Sequence, residues 1–383
     1  MGDSHRQTRL VTDDEGGFDE RRARETALPV EEGEVIDTAE LADHQEYVPD
    51  RGVYDERNAV NDLTGREWKV ATKSVIHEAY PPALCHELRS EHGGQKPPRL
   101  CLELIERFSA AGDRVLDPFA GVGGTLLGAS LAEHEGTGRR EAVGIERVAR
   151  WVEIYETVLD RANEERADRG DPPLAPQSMR HADCRTAVEE LATDSVDLLL
   201  TDVPYWDMDE RDQTRNDDRT RASSLDAFDR DTTDRDGSDA TDTDATGQPD
   251  DSTDAAATGQ PDDPTDAAGD DESARATEET AVGEQLGDGT KAGWLAALGE
   301  TFDAFRRVVR PGGYVVVFVG DMYRESRYEP LSAELAFRLR EVGYTMTANL
   351  IWYDPSKELH VYGYPHSFVP SMVHQNVLVF QNT

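Results

Sequence analysis

Apolar positions along this chain switch repeatedly between two spacings. Pro97 and Pro98 open a stretch in which Leu100, Cys101, Leu104, Ile105 and Phe108 recur at helical spacing, and Gly112 is expected to end it. Short apolar runs then predict strands at Arg114–Asp117, Ala142–Glu146, Met179–Asp183 and Val196–Val203. Helices are expected between them at 124–133, 149–165 and 186–191. The run VDLLL at 196–200 is continuous rather than alternating, the pattern of a strand covered on both faces. After a long interruption the pattern resumes with a helix over 294–309, a Pro-Gly-Gly turn at 311–313 and the strand YVVVFVGD at 314–321. A helix over 331–342, closed by Gly343, leads to β-rich runs at 345–353 and 371–381 with no helix between them. Strand–helix alternation of this kind predicts an α/β, Rossmann-like fold with a mostly parallel sheet, and the last two runs should pair as an antiparallel C-terminal hairpin.

The interruption differs in composition. Residues 207–290 hold 27 acidic residues against 7 arginines, are built mainly of Asp, Thr, Ala, Gly and Pro, and repeat TGQPDD at 246–251 and 258–263. With almost no large apolar side chains such a segment cannot bury enough surface to offset its ordering entropy. Residues 1–50, with 15 acidic residues against 5 arginines, read the same way. The expected organisation is therefore a disordered acidic segment at 1–50, one half of a domain at 51–206, a disordered acidic insertion at 207–292, and the other half at 293–383. Formal net charge is −39, and 35 arginines accompany only 5 lysines. This balance resembles that of proteins from a halophile's salt-saturated cytoplasm, where a Debye length of roughly 3 Å or less weakens surface repulsion. The cysteines Cys85, Cys101 and Cys184 stand far apart and suggest neither disulfides nor zinc, and the histidines His360, His366 and His374 lack helical ligand spacing, so no metal site is read. No apolar run reaches the length of a membrane span, and a cytoplasmic protein with no membrane partner is expected.

Two motifs carry chemistry, each where a buried strand runs out into a loop. In VLDPFAGVGGT, residues 115–125, a strand delivers Asp117 to its C-terminal end, and Gly121, Gly123 and Gly124 let the following turn approach a ligand. A helix starts at once, so its free amide donors face the same crevice. Glu146, ending the next strand, is placed to accept from ribose hydroxyls, and Asp183, ending the third, to meet an adenine amino group. A glycine-rich turn alone would also fit a dinucleotide site; the order D-P-F-A-G-x-G differs from the G-x-G-x-x-G of nicotinamide enzymes. In the second motif, LLLTDVPYW at 198–206, Asp202 can accept from one N–H of an exocyclic amine and the carbonyl of Val203 from the other. Pro204 stiffens this loop, Tyr205 offers a ring for stacking, and Trp206 widens the platform.

Together these motifs resemble those of the S-adenosylmethionine-dependent DNA amino-methyltransferases, which methylate adenine N6 or cytosine N4. The resemblance covers roughly 68–206 and 293–382 and implies the seven-stranded sheet of that fold. It implies S-adenosyl-L-methionine as cofactor, held by Asp117, Phe119, Ala120, Gly121, Gly123, Glu146 and Asp183, and catalysis by Asp202, Val203, Pro204 and Tyr205. Most members read D-P-P-Y, N-P-P-Y or S-P-P-Y, so Val203 departs from the pattern, adding an N–H and loosening the loop. His92, Gly93, Gly94 and Lys96 match loosely the segment that in this family packs over the methionine end of the cofactor. The closing segment HVYGYPHSFVPSMVHQNVLVFQ, 360–381, looks like that of the family and implies Tyr362, Tyr364 and Phe368 as lining for a flipped base.

DNA is the implied partner, with phosphate contacts expected from Arg66, Lys69, Lys73, Arg324 and Arg327. A tRNA guanine-N2 methyltransferase would share both loops and their order, which makes tRNA the alternative partner; an inactive cofactor-binding subunit of a modification complex is a third reading. Any restriction partner is left open, since no endonuclease signature stands out.

Overall fold

The computed structural model describes residues 37–39, 41–205, 286, 289–324, 327–362 and 364–383. In chain order the first elements are β1 (Gln45–Val48), β2 (Gly52–Asp55), α1 (Gly65–Ala71), β3 (Val75–His77), α2 (His86–Arg89), α3 (Pro98–Phe108), β4 (Arg114–Asp117) and α4 (Gly124–Glu135). Then follow β5 (Glu141–Glu146), α5 (Ala149–Arg169), β6 (Ser178–His181), α6 (Cys184–Ala187) and β7 (Val196–Asp202). The chain continues with α7 (Lys291–Arg306), β8 (Val309–Val319), β9 (Met322–Arg324), β10 (Arg327–Glu329), α8 (Leu331–Val342), β11 (Tyr344–Tyr353) and β12 (His374–Asn382).

Eight strands form one sheet in the order β3-β11-β12-β8-β7-β4-β5-β6. Neighbours are parallel except β12, which runs antiparallel to both β11 and β8. The mostly parallel α/β sheet with an antiparallel C-terminal pair is as the pattern predicted, with one strand more than the seven implied. The addition is β3, whose Val75, Ile76 and His77 pair with Ile351, Trp352 and Tyr353. Three residues are too few to show a period, so only the exposed edge of β11 reveals the strand.

Leu198 and Leu200 of β7 pack with Val316 and Phe318 of β8, Val377 and Val379 of β12, Leu100 and Leu104 of α3, and Tyr155 of α5. The alternate residues Leu199, Val315, Val317, Leu378 and Phe380 point to the other face and are buried as well. Burial on both faces explains the unbroken apolar runs.

Several boundaries differ from expectation. Helix α3 ends at Phe108, and Gly112, at φ +90°, lies in the turn into β4 instead. Strand β8 begins at Val309, so the Pro-Gly-Gly segment lies within it beside a register shift against β7 rather than forming a separate turn. The end of the segment 1–50 is also ordered: Gln45–Val48 pairs with β2, setting Tyr47 opposite the fully buried Val53. Residues 206–285, nearly all of the acidic insertion, lie outside the described residues, as does Trp206.

The described residues fall into two units, one that runs to Pro204 and resumes at Leu295, and one that includes Tyr205 and Trp294. In the second, the Tyr205 ring stacks on Trp294 at 6.4 Å with an 8° interplanar angle, and the Trp294 amide donates to Thr290 O in the first turn of α7. Among the described residues no helix is long and apolar enough to cross a membrane.

Helices α3 and α4 meet closely at Gly128. A Cβ there would lie 2.8 Å from Cys101 Cβ, 2.9 Å from Leu102 N and 2.9 Å from Pro98 O. Two of these atoms belong to backbone and cannot swing aside. Gly128→Val is expected to lower the unfolding free energy by ~1–3 kcal/mol despite any gain in helix propensity. Urea unfolding checks this, and an unchanged midpoint would mean that the helices separate freely.

Candidate functional site

Strand β4 pairs in parallel with β7, Val115 opposite Leu198 and Leu116 opposite Leu199. Their C-terminal ends therefore emerge side by side, and with them Asp117 and Asp202. Thr201 Oγ1 donates to Asp117 Oδ1 at 2.6 Å, and the Phe119 amide donates to the same oxygen at 3.1 Å. Asp117 is only 4% exposed, and burial pushes its carboxyl pKa up to about 6; its donors oppose the rise and the charge of Asp202 adds to it. Asp117 is thus an anchor that ties the start of the glycine loop to the neighbouring strand.

The loop turns tightly. The Ala120 amide donates to Ile145 O at 3.0 Å and the Gly123 amide to Ala120 O at 2.8 Å. Phe119 is half-buried and Ala120 buried. Gly123 caps α4 at φ +76°, and a Cβ there would fall 2.2 Å from the Tyr155 ring, so no other residue fits. Gly121, at φ +50°, donates its amide to Glu146 Oε2 at 2.8 Å, while Glu146 Oε1 accepts from the Val148 amide at 2.7 Å. Glu146 thereby fastens the loop to the end of β5, and burial raises its pKa against these donors. Asp183 follows β6 and caps α6. Its carboxylate accepts from the amide of Arg185 at 2.9 Å and from its guanidinium at 3.0 and 2.5 Å, and this partner holds its pKa low.

At the second motif, Asp202 lies opposite Phe318 in the β7–β8 register, and the Val203 amide donates to Phe318 O at 3.4 Å. The residue that replaces the usual proline thus uses its N–H to carry the ladder one step further. Val203 is buried at 1% exposure. The loop is held where extra freedom was expected. Pro204 follows, and Tyr205 begins the second unit.

Lys96 is the residue whose role the sequence did not disclose. Its ammonium donates to Asp202 Oδ2 and, at 3.1 Å, to Gly94 O, with the Phe318 ring centroid 5.4 Å away. Lys96 is 8% exposed and Asp202 22%. The fully buried Arg89 guanidinium donates to Lys96 O at 2.7 Å and fixes that backbone. Four residues upstream, the His92 ring meets Trp151 edge-on at 5.1 Å, and its Nε2 lies 2.8 Å from where a Cβ of Gly121 would stand. Burial, followed by the charge of Lys96, lowers the His92 pKa to about 4, so the ring is neutral near pH 7. Residues 92–96 consequently run from the glycine loop to the Asp202 carboxylate. Thr201 is a second such residue, a lone buried hydroxyl in a strand otherwise rich in leucine.

The aromatic residues of the closing segment lie in the connection between β11 and β12. Tyr364 and Phe368 are 79% and 90% exposed, and Tyr362, at 42%, sets its ring 5.3 Å from that of His360. Among the described residues, no group of three or more His, Cys, Asp or Glu comes together as a metal site.

Residues 44–157 match the family model described as DNA methylase. No curated protein is significantly similar to the chain. Among solved structures, it is similar to a candidate DNA modification methylase of Thermus thermophilus complexed with S-adenosyl-L-methionine, at 17% identity and a TM-score of 0.27, over 52% of this chain and 53% of that one. It is also similar to TrmN from Thermus thermophilus, at 12% identity and a TM-score of 0.37, over 77% of this chain and 51% of that one. An S-adenosylmethionine-dependent methyltransferase of Methanosarcina mazei gives 10% identity and a TM-score of 0.36, over 73% of this chain and 96% of that one. The chain spans about half the length of the two Thermus proteins.

The raised pKa of Asp117 fixes a pH dependence. With a folded value of about 6 against 3.8 when unfolded, the carboxyl imposes no ionisation penalty below pH 4 and the whole penalty above pH 6. Asp117→Asn keeps an acceptor for Thr201 and Phe119 but cannot ionise. Its unfolding free energy relative to wild type is expected to rise by roughly 3 kcal/mol between pH 4 and pH 7. Denaturant titration across that range measures it; a flat difference would place the carboxyl in contact with solvent.

Proposed function

We propose, on the premise that residues 44–157 match the DNA methylase family, that the chain transfers a methyl group from S-adenosylmethionine to an exocyclic amine of a nucleic-acid base, adenine N6 or cytosine N4 of DNA. The observation that carries this reading is the meeting of Asp117 and Asp202 at the tips of adjacent parallel strands, bridged through Thr201.

The glycine loop suits a nucleoside cofactor. Gly123 leaves no space for a Cβ, α4 turns its N-terminal amides toward the loop, and Glu146 presents a half-buried carboxylate beside Gly121. Asp117, Phe119, Ala120, Gly121, Gly123 and Glu146 would hold the cofactor. Asp183 would join them by sharing a carboxylate already engaged by Arg185. When bound, S-adenosylmethionine supplies an electrophilic methyl group.

An aromatic amine is a poor nucleophile because its lone pair is delocalised into the ring. Asp202 and the Val203 carbonyl would accept its two hydrogens and localise that pair. The bond to Asp202 strengthens as positive charge develops on nitrogen, so it favours the transition state over the ground state. Because β8 holds Asp202 and Val203 in register, little reorganisation is needed. Pro204 would stiffen the acceptor loop, with Tyr362, Tyr364 and Phe368 receiving the base. The chain's strong acidity fits an intracellular enzyme working in concentrated salt, where stacking replaces part of the counterion-release term of nucleic-acid binding.

Purified protein incubated with methyl-labelled cofactor in multimolar KCl, with duplex DNA and tRNA offered separately, should label adenine or cytosine in DNA. Label on guanine of tRNA alone would reassign the substrate. Asp202→Ala is expected to reduce transfer by about 100-fold or more while cofactor affinity, read by equilibrium dialysis, stays nearly constant. Undiminished turnover in that variant would remove Asp202 from the mechanism.

A further inference from the structure

The ammonium of Lys96 reaches the carboxylate assigned to gripping the target amine, although the two residues stand 106 positions apart. Such a pair is not a surface ornament, since Lys96 is 8% exposed and its backbone is fixed by a fully buried guanidinium. Its surroundings also require compensation. Asp202 carries a charge that is felt at the buried Asp117, so two carboxylates share one edge of the sheet. From the geometry we infer that Lys96 is a positioning residue: its ammonium keeps Asp202 ionised and aimed, and residues 92–96 tie that acceptor to the glycine loop on which His92 rests.

The inference deepens the proposed function and depends on it for its catalytic part only. A carboxylate offers about four lone-pair directions, so one ammonium does not exhaust its capacity to accept an amine. Without the ammonium, an ionised Asp202 would stand in a partly desolvated place beside Asp117, and protonation would become its easiest relief. A protonated carboxyl donates where the amine needs an acceptor. Loss of Lys96 should therefore act most strongly at low pH on catalysis and at high pH on stability.

Among the described residues, several titratable groups face the pair. Asp202 faces Lys96 and, through the β4 edge, Asp117. Lys96 faces Asp202 and His92, and its charge is also felt at the buried Cys101. His92, at about 4, and Cys101, pushed up to about 12, are both neutral between pH 5.5 and pH 8.5, a range chosen to avoid them. Asp117, at about 6, titrates within it and must be subtracted.

A double-mutant cycle does this without relying on turnover. Wild type, K96M, D202N and K96M/D202N are unfolded in urea from pH 5.5 to pH 8.5. The loss caused by K96M is expected to grow with pH by about tenfold in the folding equilibrium constant more in the wild-type background than in D202N, where only the share of Asp117 remains. Equal pH dependence in both backgrounds would overturn the proposal.

The catalytic part is read from kcat/KM against pH at saturating cofactor. In K96M the acidic limb should move upward by about one pH unit, while K96R should keep the wild-type limb. A K96M loss by the same factor at every pH, or a K96R profile like that of K96M, would overturn the positioning role. Absence of methyl transfer by wild type would remove the proposed function and with it the catalytic part. The electrostatic part would then still be decided by the cycle.

Discussion

The arrangement depends on the parallel pairing of β4 with β7 and the bond that locks their ends, Thr201 Oγ1 to Asp117 Oδ1. A buried hydroxyl or carboxyl without a partner costs more than most single contacts contribute, so each of these groups needs the other where water is excluded. Their mutual satisfaction fixes the relative height of the two strand ends. The glycine loop leaves from one end and the Asp202 loop from the other, so this hydrogen bond holds the two loops at a fixed separation. Asp117 is thus the joint between the two strand ends.

Charge around this joint is managed locally. The chain as a whole carries a net −39, and concentrated salt screens such charge on the surface within a few ångströms. Screening of that kind does not reach Asp117, at 4% exposure, and reaches Asp202 only in part. Each acidic group therefore has its own internal remedy. Asp117 has donors and a raised pKa, Glu146 has the amides of Gly121 and Val148, Asp183 has Arg185, and Asp202 has Lys96. One of the chain's 5 lysines therefore stands in this crevice, paired with Asp202.

The strands and helices that flank the site were legible because their information is local. Continuous apolar runs gave β4, β5 and β7, and the unusual backbone angles of the glycine loop demanded glycine at Gly121 and Gly123. What could not be seen were relations between distant residues. Strand β3 exists only because β11 has a free edge, Lys96 finds Asp202 across the fold, and the Val203 amide is useful only because Phe318 O stands opposite. That last contact also changes the meaning of a sequence departure. Replacing proline looked like a loss of stiffness, but the added N–H was supplied with an acceptor.

The antiparallel last strand explains how a late segment returns to an early site. Because β12 runs against both β8 and β11, β11 points the same way as β8 and β7, and its end at Tyr353 lies at the edge from which Asp202 emerges. The connection from 354 to 373 is closed at its base by the Asp354 amide donating to Val373 O at 3.1 Å, and so projects from that same edge. It carries Tyr362, Tyr364 and Phe368, and rings exposed as far as 90% forgo the burial that would ordinarily stabilise them. A loop folded only for its own stability would turn such rings inward. Here the rings stay open on a loop that leaves the same edge of the sheet as Asp202, with two strands standing between β11 and β7.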